Sequence, residues 1–195
     1  MRIVPIDPKH PDPRYLREAV AVLKRGGLVV YPTETAYALG CDAANLAARR
    51  RLCKVKGRER EKLLPLIVSS FDMAQKVVSF NAEARRLARK YWPGPLTLRL
   101  PDKRQTQHES TTALRVSSNL VARALAARLG RPIVSTSANM SGEPTKYDIP
   151  GVIHDIGFKP DFVLDARTLR PTPPSTIVGF DHGLPIILRA GPIDF

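Results

Sequence analysis

Short apolar runs alternate with stretches of helical periodicity from one end of the chain to the other, and this alternation restricts the fold more than any other feature. Arg2 to Pro5 reads as an opening strand. Asp12 then reads as an N-cap with Pro13 at the first helical position, and Leu16, Ala19, Val20 and Leu23 recur at helical spacing until Gly26-Gly27 ends the helix. Leu28 to Tyr31 is the next strand. It delivers a loop, Pro32 to Gly40, from its C-terminal end, where α/β proteins commonly hold ligand groups. A basic helix is expected at Asn45 to Lys54, followed by a polar linker, Val55 to Leu64. Further strands are expected at Leu66 to Val68, Leu96 to Leu100, Ala113 to Val116, Phe162 to Leu164, Thr176 to Val178 and Ile186 to Leu188. Helical patterns fall at Met73 to Val77, Ala82 to Tyr91, Leu120 to Leu129 and Ile149 to Ile156, with Gly130 placed to end the third of these. Trp92-Pro93-Gly94-Pro95 is a rigid turn, because both prolines fix φ and neither donates a backbone hydrogen bond. The sequence therefore predicts one α/β domain over residues 1–195, built on a single mixed sheet.

A chain of 195 residues can bury a sizeable core. No run approaches the roughly 18 apolar residues of a membrane span, and the N-terminus lacks the apolar core of a signal peptide. The expectation is a cytoplasmic protein with no membrane segment. Cys41 and Cys53 do not form a Cys-x-x-Cys pair and the histidines are scattered, which indicates neither a disulfide framework nor a zinc site. The outlier is charge: 31 Lys and Arg against 18 Asp and Glu, a formal +13. Such a field attracts nucleotides, RNA or acidic membrane surfaces without choosing among them. Part of it is concentrated in Arg49, Arg50, Arg51, Lys54, Lys56, Arg58, Arg60 and Lys62. The ordinary account of a charge run is a solvated helix face, and that account suits Arg49 to Arg51.

Three stretches stand out against this background. Pro132 to Gly142 begins as a buried strand and becomes a run of hydroxyls and an amide, Ser135, Thr136, Ser137, Asn139 and Ser141, the composition of a polar pocket wall. On its own it is equally a strand followed by a turn. Tyr31 to Gly40 carries Pro-Thr-Glu-Thr, and Lys56-Gly57-Arg58 offers a point charge and a planar fork to phosphate oxygens. Neither a Gly-x-x-x-x-Gly-Lys-Ser/Thr loop nor a Gly-x-Gly-x-x-Gly turn is present, so a nucleotide would have to be held another way.

Taken together and in order, these stretches resemble the YrdC-type threonylcarbamoyl-AMP synthase family. The resemblance is carried by Pro32 to Thr35, Lys56 to Arg58, Trp92 to Thr97, Arg115-Val116, Ser137 to Asn139, Pro174 to Thr176 and Arg189 to Gly191, which span nearly the whole chain. It implies a twisted α/β sheet with a concave, positively charged cavity. It also implies condensation of ATP, L-threonine and bicarbonate into L-threonylcarbamoyladenylate with release of pyrophosphate. That is the first step toward the t6A modification of tRNA, and proteins that transfer the group to tRNA would act downstream. Carried over by position, Thr35, Arg115, Ser135 and Ser175 would contact threonine, and Lys56, Arg58, Ser137, Asn139 and Arg189 would face ATP. Lys56 and Arg58 would also act at the reacting phosphate. Magnesium is expected with the ATP phosphates, and no carboxylate cluster marks a protein metal site.

The chain departs from the family pattern at several positions. Glu59 follows the Lys-x-Arg element where proline is usual, Ser69 stands where a histidine would lie, Ser117 replaces the proline after Arg-Val, and Ala38 and Gly179 replace a glycine and an acidic residue. Tyr37 to Cys41 is closer to YciO-like paralogues. Two alternatives follow: a paralogue of that kind with weak or different activity, and an RNA-binding module that uses the net charge and keeps the fold.

Overall fold

A computed structural model describes residues 1–57, 64–103 and 110–194. Its strands are β1 (Arg2–Pro5), β2 (Val29–Pro32), β3 (Tyr37–Asp42), β4 (Leu66–Val68), β5 (Leu96–Pro101), β6 (Thr111–Val116), β7 (Ile133–Ser137), β8 (Phe162–Asp165), β9 (Thr176–Asp181) and β10 (Leu184–Arg189). Its helices are α1 (Pro13–Lys24), α2 (Leu46–Val55), α3 (Phe71–Val77), α4 (Ala82–Tyr91), α5 (Leu120–Leu129) and α6 (Ile149–Ile156). The strands form one mixed sheet in the order β1-β8-β2-β3-β7-β4-β6-β5-β9-β10. Among the described residues no helix is long and apolar enough to cross a membrane.

The helices fall where the sequence predicts, with ends that differ by up to two residues, as at Phe71–Val77. Asp12 caps α1 by accepting the Arg14 N–H, Pro13 opens the helix, and Gly130 closes α5 in the left-handed conformation. Asn45, Ser70, Asn81 and Asp148 cap four other helices in the same way, each side chain accepting a first-turn N–H. One expectation is corrected: Pro32 to Gly40 is not a loop throughout. The connection is confined to residues 33–36, and Tyr37–Asp42 is strand β3, antiparallel to both β2 and β7. Every residue of β3 is buried, so the strand lacks the polar alternation that would have marked it. β9 and β10 are likewise longer than expected and form an antiparallel hairpin.

The two faces of the sheet are covered unequally. On one face α2, α3, α4 and α6 contribute to a large apolar core around Leu28, Leu39, Leu96, Leu98 and Leu114. On the other, α1 and α5 cover Val4, Val29, Tyr31, Ala38, Ile67, Ile133, Phe162 and Leu164, on β1, β2, β3, β4, β7 and β8. Among the described residues, that second core takes no buried side chain from β6, β5, β9 or β10. The sequence supplies polar and charged side chains there, and this half-face becomes the wall of a cavity.

Candidate active site

The cavity has a volume of about 590 Å³. Strand periodicity explains its lining. Residues two apart share a face, so Ser135 and Ser137 of β7, Ala113 and Arg115 of β6, and Thr97 and Arg99 of β5 all point the same way and all line it. Register aligns them: Ser137 lies opposite Ala38, Arg115 opposite Ile67, Arg99 opposite Ala113, and Thr97 and Arg189 both opposite Ile177 of β9. Thr35, Lys56, Ser135, Ser137, Asn139, Arg115, Ser175 and Arg189, eight of the nine residues predicted from sequence, line this one cavity. Arg58, the ninth, lies outside the described residues.

One wall is a loop tied to Lys56. Its ammonium, on a residue only 3% exposed, donates to the carbonyl of Ser137 at 2.7 Å, the carbonyl of Asn139 at 2.5 Å and Asn139 Oδ1 at 3.1 Å. Ser137 Oγ donates to the same Oδ1 at 2.6 Å, and Asn139 Nδ2 donates to the Glu143 carbonyl at 2.5 Å. A buried ammonium must be surrounded by acceptors. The three acceptors named above are neutral groups of the 137–139 segment, and together they fix the loop.

The opposite wall belongs to β5, β6 and the C-terminal hairpin. Arg189 donates through Nε and Nη2 to the Ser175 carbonyl, at 3.1 and 2.7 Å, and through Nη2 to Ser175 Oγ at 3.0 Å. The Ser175 hydroxyl lies 2.8 Å from Thr97 Oγ1. Burial, and after it the positive charge of Arg115, pull Arg189 below the ordinary arginine value. Gly191 allows the chain to cross here: a Cβ on it would sit 2.4 Å from the Pro174 carbonyl oxygen and 2.5 Å from the Thr176 nitrogen. That is a physical reason for the late Arg-x-Gly. Arg115 is 8% exposed and lies 3.0 Å from Glu34.

The connection between β2 and β3 is shaped by Thr33. Its hydroxyl donates to the Ala36 carbonyl at 2.7 Å and accepts the N–H groups of Thr35 and Ala36, each at 3.2 Å. This small turn presents Thr35 to the cavity. Sequence reasoning missed Arg99, Tyr147 and Thr172, which also line it. The alternation of Leu96, Leu98 and Leu100 with Thr97 and Arg99 was the available signal for Arg99.

Lys56, Arg99, Arg115 and Arg189 all face the cavity, and no aspartate or glutamate is among its described lining residues. The described residues also contain no cluster of His, Cys, Asp and Glu able to hold a metal ion. The arrangement suits a ligand with several oxyanions, bound by cations and hydroxyl donors in a partly desolvated cleft.

Fold and cavity together define an α/β protein with a polar, cation-lined cavity on a mixed sheet. A family model described as "Telomere recombination", covering Sua5, YciO and YrdC proteins, matches residues 21–191. The chain belongs to the Sua5/YciO/YrdC family. A relative from Thiobacillus denitrificans named threonylcarbamoyl-AMP synthase is 38% identical, over 87% of this chain and 92% of its own length. One of the same name from Pyrococcus abyssi is 33% identical over 90% of this chain, which spans only 54% of that relative. The crystal structure of P. abyssi Sua5 complexed with L-threonine superposes with a TM-score of 0.89 at 31% identity, covering 98% of this chain and 58% of that one. E. coli YciO superposes equally well, TM-score 0.89 at 27% identity, over 100% and 98% of the two chains.

Proposed function

We propose that the protein is an L-threonylcarbamoyladenylate synthase, a nucleotidyltransferase that condenses ATP, L-threonine and bicarbonate and releases pyrophosphate. The observation that carries this reading is the convergence of eight separated residues on one cavity rich in cations and hydroxyls. The relatives named threonylcarbamoyl-AMP synthase and the threonine complex of P. abyssi Sua5 support it.

In this reading the threonine amine adds to the carbon of bicarbonate-derived carbon dioxide and loses a proton, giving a carbamate. A carbamate oxygen then attacks the α-phosphorus of ATP, and the bond to the leaving pyrophosphate breaks. Neither step requires a nucleophile from the protein. The chain's contribution is to hold three substrates in line and to set fixed charge where the leaving group becomes more negative. Thr35, Arg115, Ser135 and Ser175 take the amino acid. Ser137, Asn139 and Arg189 take the nucleotide, with Lys56 fixing the loop that carries two of them, and Arg58 is assigned to the phosphates. Magnesium would arrive on the nucleotide's own phosphate oxygens, since the described cavity wall offers it no carboxylate.

The product would serve the t6A modification of tRNA, with a transferring protein downstream and a cytoplasmic setting. The test is pyrophosphate release with all three substrates present. The reading expects release that depends on threonine and is lost in a Lys56→Ala/Arg58→Ala double variant; release equal to that control overturns it. The full-length likeness to E. coli YciO supports a second reading, a paralogue of altered activity. ATP binding without threonine-dependent release is its signature.

A further inference from the structure

Glu34 has no part in the chemistry above, yet it is built into the site. It is absent from the cavity wall and stands behind Arg115, with Oε1 3.0 Å from Arg115 Nη1; the two side chains are 14% and 10% exposed. Its other oxygen accepts a hydrogen bond from the Ser117 hydroxyl, and Ser117 is completely buried. Ser117 Oγ in turn accepts the Asn119 N–H at 3.2 Å, and Asn119 caps α5 by accepting the Val121 N–H at 2.9 Å. A chain of contacts thus runs from the first turn of α5 through Ser117 and Glu34 to the guanidinium facing the cavity. Arg115 Nη2 also reaches Thr35 Oγ1 at 3.4 Å.

The geometry of the ion pair is informative. Glu34 Oε1 and Arg115 Nη1 are shut off from solvent and close together, but neither makes a well-angled hydrogen bond. Arg115 is therefore held from behind by charge and is not locked in a two-pronged fork, which leaves donor capacity for a ligand. The pairing also distinguishes the two arginines. Arg115 is compensated by a carboxylate, which suits an amino acid that is neutral overall but carries a carboxylate. Arg189 has hydroxyl and carbonyl partners and retains its charge for a polyanion.

We propose that Glu34, anchored through Ser117 to the start of α5, is a positioning residue that aims Arg115 at the carboxylate of the amino-acid substrate. The inference rests on the reading that Arg115 faces that substrate. The test is calorimetric titration of L-threonine and L-threoninamide, whose carboxylate is replaced by a neutral amide, into the full chain and its Glu34→Gln and Ser117→Ala variants. The native protein should prefer threonine. With the aim lost, Glu34→Gln should weaken threonine by about 10-fold, the worth of one charge-assisted hydrogen bond, and leave threoninamide and ATP unchanged. Ser117→Ala should move the preference in the same direction by about 3-fold, a smaller loss because the Glu34 carboxylate stays behind Arg115, and it decides the matter if Glu34→Gln does not fold. A preference that survives both changes, or equal weakening of both ligands, overturns the proposal. If the native protein binds no threonine, the substrate reading fails separately. The Arg115 Nε–H resonance in a ¹⁵N spectrum then decides: narrow in the native protein and broadened in Ser117→Ala supports the positioning role, and an unchanged line overturns it.

Discussion

The arginines away from the cavity and those around it are wired to different partners. Away from it, Arg131 makes three contacts with the Asp42 carboxylate at 2.5 to 2.9 Å, and Arg51 grips Asp161 at 2.6 and 3.1 Å. In the cavity, Arg189 reaches the carbonyl and hydroxyl of Ser175, and Arg99 donates to the Thr111 hydroxyl at 2.7 Å. A carboxylate orients a cation and cancels its charge, whereas a hydroxyl or carbonyl orients it and leaves the charge for a ligand. Residue type does not separate the two groups. Partner type does, and Arg115 is the instructive exception, a cavity arginine that has a carboxylate behind it.

Removing that exception should have the largest effect. Arg115→Ala strands Glu34 in a buried site, so it should cost about 3–5 kcal/mol of stability, the penalty for breaking a buried pair, and should abolish threonine binding. Urea unfolding and calorimetry read the two losses. Arg131→Ala tests the set away from the cavity. Asp42 has a side chain only 3% exposed and loses its charged partner, so stability should drop by about 1.5–3 kcal/mol with substrate affinity unchanged. Arg189→Ala should give the opposite pattern. ATP should bind about 10- to 100-fold more weakly, while stability shifts by less than about 1 kcal/mol because no carboxylate is left unpaired. If Arg189→Ala unfolds the protein and Arg131→Ala weakens ATP, the comparison is wrong.

The smallest effect is expected at Arg51. Its partner Asp161 has a side chain 37% exposed, so Arg51→Ala should cost no more than about 1 kcal/mol. Burial raises the Asp161 pKa, but the Arg51 guanidinium and the Leu28 N–H outweigh it and hold it below the ordinary 3.8. A depressed carboxylate stabilises the folded state above its ordinary pKa and loses that contribution as the pH falls through the folded value. Thermal unfolding should therefore separate the native and Arg51→Ala proteins at neutral pH and bring them together in acid below 3.8. A gap that stays constant across that range would show that Arg51 acts by some means other than its charge.

Much of this was legible in the sequence because it depends on local patterns. The caps Asp12 and Gly130, the short apolar strands and the spaced polar motifs each carry their own signal. The hydroxyl run at Ser135 to Asn139 read as a pocket wall and lies on one. β3 was hidden because burial on both faces erases alternation, leaving Tyr37 to Gly40 looking like loop. The Glu34–Arg115–Ser117 cluster was hidden for another reason. It joins the turn after β2 to the end of β6, more than 80 residues apart, and only the sheet order brings them together. Sequence marked Arg115 as a candidate but gave no sign of the carboxylate behind it.

The central claim is that this cavity joins an amino acid to a nucleotide. Its most direct test is titration of L-threonine and then ATP into the purified protein with magnesium and ¹³C-bicarbonate, followed by mass analysis of the mixture. The account predicts saturable threonine binding and a threonylcarbamoyladenylate mass that carries the heavy carbon. ATP binding with no labelled adduct would contradict it and leave the cavity as a nucleotide site with a different acceptor.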